Sequence, residues 1–354
     1  MGIEYHREIA NAEGVFLYLI MCHNNNIYSD EKSRVLVDRT KSGKVRPWRE
    51  KKLANISYWE LLHILEFKKA SRVKACAEVL EFMVDEETGE MSLANVWFCK
   101  SRLCPMCNWR RTMKHSIQTQ KVVAEVIRRK PKARWLFLTL TVKNVYDGEE
   151  LNKSLSAMAQ GFHKLMKYKK VKKNLIGFMR ATEVTVNKID NSYNQHMHVL
   201  LCVEPSYFNS SENYINQKEW TQLWKRAMKL DYDPIVDIRA IRPKNKYKSD
   251  IKSAIDETAK YPIKDTDFMT DDEEKNLQRV ADLEKGLYRK RLISYGGLLK
   301  EVHKEMNLDD AEDGDLVHVD DEDEASLDGY SILAIWNWER KNYYIKRFMT
   351  QKKT

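Results

Sequence analysis

Residues 135–142 alternate cleanly. Leu136, Leu138, Leu140 and Val142 fall on one side of a strand, and Phe137, Thr139 and Thr141 on the other. Two more strands are read at Leu175–Val186 and Gln195–Val203, joined by a polar turn over Asn187–Asn194, and a fourth at Ile235–Ile241. Leu151–Lys167 repeats its apolar positions at helical spacing between the first and second strands, and Gln217–Met228 does so between the third and fourth. A further helix begins at about Ser249. Strand, helix, strand, strand, helix, strand is the order of a split βαβ unit, which predicts an α+β fold with a largely antiparallel sheet and helices on one face.

The flanks read differently. Helices are predicted over Tyr58–Lys69 and over Met113–Arg129, the second ending before Pro131, and a charged helix over Asp271–Arg291. The expected organisation is an N-terminal arm at 1–30, a basic DNA-binding region at 31–130, the sheet unit at 131–268 and a helical C-terminal region at 269–354. Lys32–Lys52 reads as an exposed basic arm able to lie along phosphates.

Composition sharpens this picture. The chain has 354 residues, 43% hydrophobic and 32% charged, with only 12 Gly and 7 Pro, which fits a folded protein and excludes a fibrous or disulfide-stapled one. The longest apolar run near the start, Val15–Cys22, is far short of the ~20 residues that span a bilayer, so no membrane segment or export signal is expected. Lys and Arg exceed Asp and Glu by 61 to 52, yet eleven of the carboxylates lie in an acidic loop at 309–328 that has no Lys or Arg. The rest of the chain therefore carries 61 cations against 41 anions, a field that favours a polyanion such as nucleic acid. The acidic loop itself reads either as a solvated loop or as a DNA mimic covering a basic surface.

Three groups of residues could carry chemistry. His196 and His198 are two apart on a strand, so both imidazoles project from one face and can grip one cation; the alternative is a pair that merely hydrogen-bonds. Glu183, on the preceding strand, would come beside them in a hairpin and complete a ligand set for Mg²⁺ or Mn²⁺, unless it pairs with an Arg or Lys instead. Glu257 and Tyr261 are four apart and neighbours on a helix face, with Pro262 ending the helix at the tyrosine and Lys260 and Lys264 supplying cations beside the phenol. The third group is Cys99, Cys104 and Cys107 with Cys76 as fourth thiolate, a closed structural Zn²⁺ site in a reducing compartment. Arg102, Arg110, Arg111 and Lys114 surround that knuckle with Trp109 between them, which suggests that this module touches DNA.

Phe137-Leu-Thr-Leu-Thr-Val-Lys-Asn144, then His196-Met-His198, then Glu257-Thr-Ala-Lys-Tyr261 resemble in order the three motifs of replication initiator (Rep) proteins of rolling-circle plasmids from Gram-positive bacteria. The cysteine cluster, Phe98 to Arg111, resembles that of one single-tyrosine branch of this His-hydrophobic-His endonuclease superfamily. The resemblance implies a bacterial cytoplasmic enzyme that binds the double-strand origin and nicks one strand. Tyr261 would attack the scissile phosphodiester, leaving a 3′-OH primer and a 5′-phosphotyrosyl link. His196 and His198 would hold the metal, Lys260 would steady phosphate charge, and Glu257 would activate water for the terminating cleavage. A host replicative helicase is the implied partner. Two other readings stay open at this level: a metal-dependent nuclease in which water attacks directly, and a non-catalytic zinc-containing DNA-binding repressor.

Overall fold

A computed structural model of the chain describes residues 34–241, 255, 256, 258, 268–310, 312–319 and 329–347. The expected N-terminal arm at 1–30 lies outside the described residues, as does 320–328 of the acidic loop.

The central sheet holds β4 (Arg134–Thr141), β5 (Leu175–Val186), β6 (Tyr193–Val203), β7 (Val236–Ile241) and β8 (Ile293–Gly297) in the order β7-β4-β6-β5-β8, every neighbouring pair antiparallel. β4 and β5 run the same way with β6 between them, so the split βαβ arrangement is present. β5 and β6 form a hairpin whose turn is closed by Asn187 N–H donating to the Ser192 carbonyl, with Asn191 in the left-handed region at φ 58°. Helix α4 (Gly148–Lys167) begins where the Asp147 carboxylate accepts from the amides of Glu149 and Glu150. Helix α6 (Gln217–Met228) begins the same way at Asn216.

The even apolar positions of β4 (Leu136, Leu138, Leu140) and the odd ones of β6 (Met197, Val199, Leu201) pack against Met158, Phe162 and Leu165 of α4 and Trp220 and Trp224 of α6. The opposite face is covered as well, which corrects the expectation of helices on one face. Val122, Val123 and Val126 of α3 (Pro105–Arg129) and Leu299 and Val302 of α8 (Leu298–Glu305) pack over Phe137, Met179, Leu200 and Cys202. That covering stops short of the β6 positions 196 and 198, which remain half-buried. Gly297 turns β8 into α8 at φ 57°, and a Cβ there would lie 2.3 Å from the Ile176 carbonyl oxygen, so only glycine fits.

A second antiparallel sheet has the order β1-β10-β9-β2-β3, from β1 (Arg34–Val35), β2 (Val79–Asp85), β3 (Met91–Val96), β9 (Gly329–Asn337) and β10 (Asn342–Arg347). The C-terminal region expected to be helical thus has α7 (Glu273–Gly286) and α8, but also three strands. The alternation of Ile332, Ala334 and Trp336 buries one side of β9 against Phe82, Leu80 and Tyr343, a period of two that no helix could satisfy. Helix α1 (Trp48–Ile64) starts ten residues before the predicted helix, and α2 (Ala70–Ala75) and α5 (Lys169–Asn174) are short. The basic stretch at 32–52 is not wholly exposed either: Trp48 is buried, and its indole N–H donates to Asp38 at 2.7 Å. Helix α3 ties the two halves together, its first turn in the core of the second sheet and its last turns against the first.

Arg110, Arg111 and Lys114 of α3, expected to face DNA, are 0, 1 and 2% exposed. Arg110 donates to the carbonyls of Leu316 at 2.9 Å and Val317 at 2.5 Å, Arg111 to those of Glu312 and Lys100, and Lys114 to that of Asp315. The three cations fasten residues 309 and 312–317 as a strap across α3, through main-chain oxygens and, for Lys114, through the Asp309 carboxylate as well. Arg102, less buried, pairs with Glu312 at 3.6 Å. Arg110→Ala is expected to lower the unfolding free energy by about 2–3 kcal/mol, because two interior carbonyls lose their donor. A urea midpoint equal to that of the wild type would return Arg110 to a DNA-facing role.

Candidate functional site

The register of the central strand decides the site. His196 lies opposite Glu183 on β5 and Thr141 on β4, and His198 opposite Ala181 and Thr139. Directly opposed residues share a face, so both imidazoles, the Glu183 carboxylate and two threonine hydroxyls stand on the side that α3 and α8 leave uncovered. Glu183 Oε2 is 3.2 Å from His198 Nε2 and 3.3 Å from His196 Nε2. One ligand atom from each of the three residues falls within 4.8 Å of the others. Among the described residues the ion-pair partners of Glu183 are these histidines, not an Arg or Lys.

The outer ring nitrogens explain what the inner ones can do. His196 Nδ1 lies 3.2 Å from Asn194 Oδ1, and it donates there in the tautomer that protonates Nδ1. In that tautomer of the neutral ring the Nε2 lone pair points at the Glu183 carboxylate, two acceptors face to face. A cation between them, or a proton on the ring, removes that conflict. His198 Nδ1 is held at 3.3 Å from the Thr139 hydroxyl. Such outer bonds fix ring orientation at metal sites. Burial opposes ionisation of Glu183, but the hydrogen bonds and charge of His196 and His198 outweigh it and hold the carboxyl well below the usual carboxylate range. Two nitrogens and an ionised oxygen on one side of a sheet suit a divalent cation with open positions.

Two neighbours were not singled out from the sequence. Phe137 stacks on His198 with ring centroids 5.5 Å apart, and the Arg239 guanidinium lies 5.3 Å above the Phe137 ring. Arg239 faces Phe137 in the β4–β7 register and pairs with Asp237 at 3.0 Å. The alternation of β4 already marked the face of Phe137. Which β7 residues lie across from it depends on a non-local pairing that alternation does not reveal.

The second cluster is built around the start of α3. Cys76 caps α2, Cys99 follows β3, and Cys104 and Cys107 flank the first turn of α3, with Pro105 as its first residue. Three of the sulfur pairs are 3.6–3.7 Å apart, and all four sulfurs lie within 4.8 Å of one another. A cation bound tetrahedrally at ~2.3 Å would space its sulfurs by about 3.8 Å. Asn55 donates to Cys104 Sγ and the Cys99 amide to Cys76 Sγ, both at 3.4 Å. Burial drives the Cys76 and Cys99 thiols up, whereas hydrogen bonds from Cys107, Cys76 and Cys99 outweigh burial at Cys104 and bring it down. Four buried sulfurs cannot all ionise without a compensating cation, and the buried Lys52 ammonium, 2.6 Å from the Cys76 carbonyl oxygen, adds only one charge. The residues fit a metal-held knuckle.

Glu257, Lys260, Tyr261 and Lys264 lie outside the described residues. Ile255, six residues before Tyr261, is 3% exposed and packs in the same cluster as Phe137 and Ala181.

A replication protein family model matches residues 90–344, a span that takes in both the Glu183–His196–His198 group and three of the four cysteines. The chain belongs to the replication protein family. It is 76% identical over 234 residues to a replication protein of Staphylococcus aureus, covering 66% of this chain and all of that one. It is 50% identical over 318 residues to protein rep of Lactiplantibacillus plantarum, with 88% of this chain and 99% of that one covered. Protein rep of Streptococcus pneumoniae is 45% identical over 320 residues, covering 90% and 97%. No solved structure matches the chain. Among the described residues no helix is long and apolar enough to cross a membrane.

For this family member, Cys104→Ser is expected to lower the thermal midpoint by roughly 10 °C or more, since metal-binding free energy counts as folding free energy. A chelator should shift the wild type similarly and the variant little. Equal midpoints for all would leave the cysteines as ordinary core residues.

Proposed function

We propose that the chain initiates plasmid rolling-circle replication in the bacterial cytoplasm, as a site-specific single-strand endonuclease and strand transferase. The observation that carries this reading is the convergence of Glu183, His196 and His198 on one face of the central sheet, the face on which Ile255 packs. Tyr261 follows that anchor by six residues, at most about 20 Å of chain, a reach compatible with a nucleophile acting on the same face. The family membership supports the same reading.

Bound there, Mg²⁺ or Mn²⁺ would polarise the scissile phosphate as a Lewis acid. The chain supplies the rest. Glu183 and the two histidines hold and orient the site, and Tyr261 attacks phosphorus. The P–O3′ bond breaks to leave a 3′-OH primer, while the 5′ end stays on the phenolic oxygen. Lys260 balances charge on the phosphate, and Lys264 holds the strand beside it. Glu257, four residues before the nucleophile, is the general base that activates water for the terminating cleavage. Zn²⁺ is the metal the four thiolates suit, with no open position for catalysis. The substrate is the plasmid double-strand origin, presented as a melted or hairpin strand, and a host replicative helicase extends the opening.

Incubation with a labelled origin oligonucleotide and Mn²⁺ followed by denaturation should give a covalent protein–DNA adduct that Tyr261→Phe abolishes. His198→Ala should remove cleavage and leave duplex binding intact. Cleavage without an adduct would mean direct attack by water, and binding without cleavage would mean a repressor. Glu257→Ala should still nick but accumulate unreleased adduct, and a normal termination rate in that variant would remove its assigned role.

A further inference from the structure

Six lysines fall within the ten residues Lys164–Lys173, at the end of α4 and through α5, with no acidic residue among them. Arg226 and Lys229 at the end of α6 face the same region, for Lys170 of α5 bridges Glu219 of α6 at 2.9 Å and the Arg226 guanidinium lies 4.3 Å from the Tyr168 ring. Lys225 is balanced by Asp233 at 2.8 Å. Lys167, Lys169, Lys172, Lys173 and Lys229 are exposed and have no ion pair among the described residues. Beneath them Trp220, Trp224 and Leu165 are buried in the sheet core, so the cations stand on a fixed platform. Like charges this dense repel one another, and a polyanion relieves that repulsion.

The platform lies on the face of the sheet turned away from His196 and His198. We propose that the α4–α5–α6 surface binds duplex DNA on the side of the sheet opposite the metal ligands, leaving the metal face for the melted strand. This rests on the initiator reading above. Duplex is favoured over single strand because single-strand binders interleave exposed aromatic rings for base stacking, whereas Tyr168, the aromatic residue in this stretch, is covered by Arg226. Lysines of this density match the phosphate backbone, which carries no sequence code.

The test is the full-length triple variant Lys169→Gln/Lys172→Gln/Lys173→Gln, with its thermal midpoint checked against the wild type. Binding to duplex origin DNA near 0.15 M salt should weaken at least tenfold, and the slope of log affinity against log salt should shrink by about 2–3, at about 0.9 for each phosphate no longer neutralised. Cleavage of a single-stranded origin oligonucleotide with Mn²⁺ should be unchanged. Wild-type duplex affinity and salt slope in the variant would overturn the assignment. It would also be overturned if single-strand cleavage fell in parallel, since the patch would then carry the melted strand. Unaltered DNA affinity with lost plasmid replication in cells would point to an acidic protein partner and equally overturn it. If the wild type neither bound nor cleaved origin DNA, the initiator reading itself would fail.

Discussion

A slip of one residue in β6 would exchange Met197, Val199 and Leu201 for His196, His198 and Leu200 against α4 and α6. Two imidazoles would then be buried among tryptophans, while two of the apolar side chains took the half-buried positions the histidines leave. An imidazole buried there without a partner is unfavourable and the tryptophan core loses its apolar contacts, so the hydrophobic face alone fixes the register to within one position. The same register aligns Glu183 with His196 and places Thr139 and Asn194 behind the rings. Ligand geometry is thereby a by-product of core packing. A loop could not hold three ligand atoms within 4.8 Å without separate support.

Helix α3 shows how one segment can mislead a composition argument. Its cations lie beside the cysteine knuckle in a chain with a strong positive excess, the setting in which DNA contact is the natural inference. Yet Arg110, Arg111 and Lys114 turn inward and donate chiefly to carbonyls of the strap, while Arg291 meets Asp310 at 2.6 Å on its outer side. Main-chain oxygens cannot be displaced by a phosphate without unravelling the strap. Residues 309 and 312–317 are therefore tied into the fold through their backbone as well as through the Asp309 and Glu312 carboxylates.

The order of elements in the central sheet was legible because its strands alternate and its helices repeat, both local signals. The His196–His198 pair and Glu183 were legible for the same reason, since a hairpin joins neighbours in sequence. Helices on the second face were not legible: α3 precedes the sheet unit and α8 follows it, and their packing on Phe137 and Cys202 is a long-range fact. The pairing of β2 with β9, which are 250 residues apart at Glu81 and Ser331, is another. In 329–347 the aromatic and basic residues hid the period of two. The basic charge was legible in total but not in direction. Burial sends the arginines of α3 inward, while the lysines of α5 stay outside because that helix turns only Val171 and Asn174 to the interior.

Asp237 is a further acidic group near the metal ligands, and its placement keeps it from disturbing them. It stands in the same cross-strand row as Thr139 and His198 on the open face, two strands from the histidine. At about 4.8 Å per strand its carboxylate starts about 10 Å from His198, beyond the reach of a shared cation. Unpaired, it would still repel any phosphate approaching the triad. Arg239 prevents this, held to Asp237 at 3.0 Å and over Phe137 by its guanidinium. The guanidinium is also a poor competitor for Glu183, because the Phe137 ring and a whole strand separate them. The β7 edge therefore presents a balanced ion pair to this face, neither repelling a phosphate nor taking the carboxylate that the two imidazoles require.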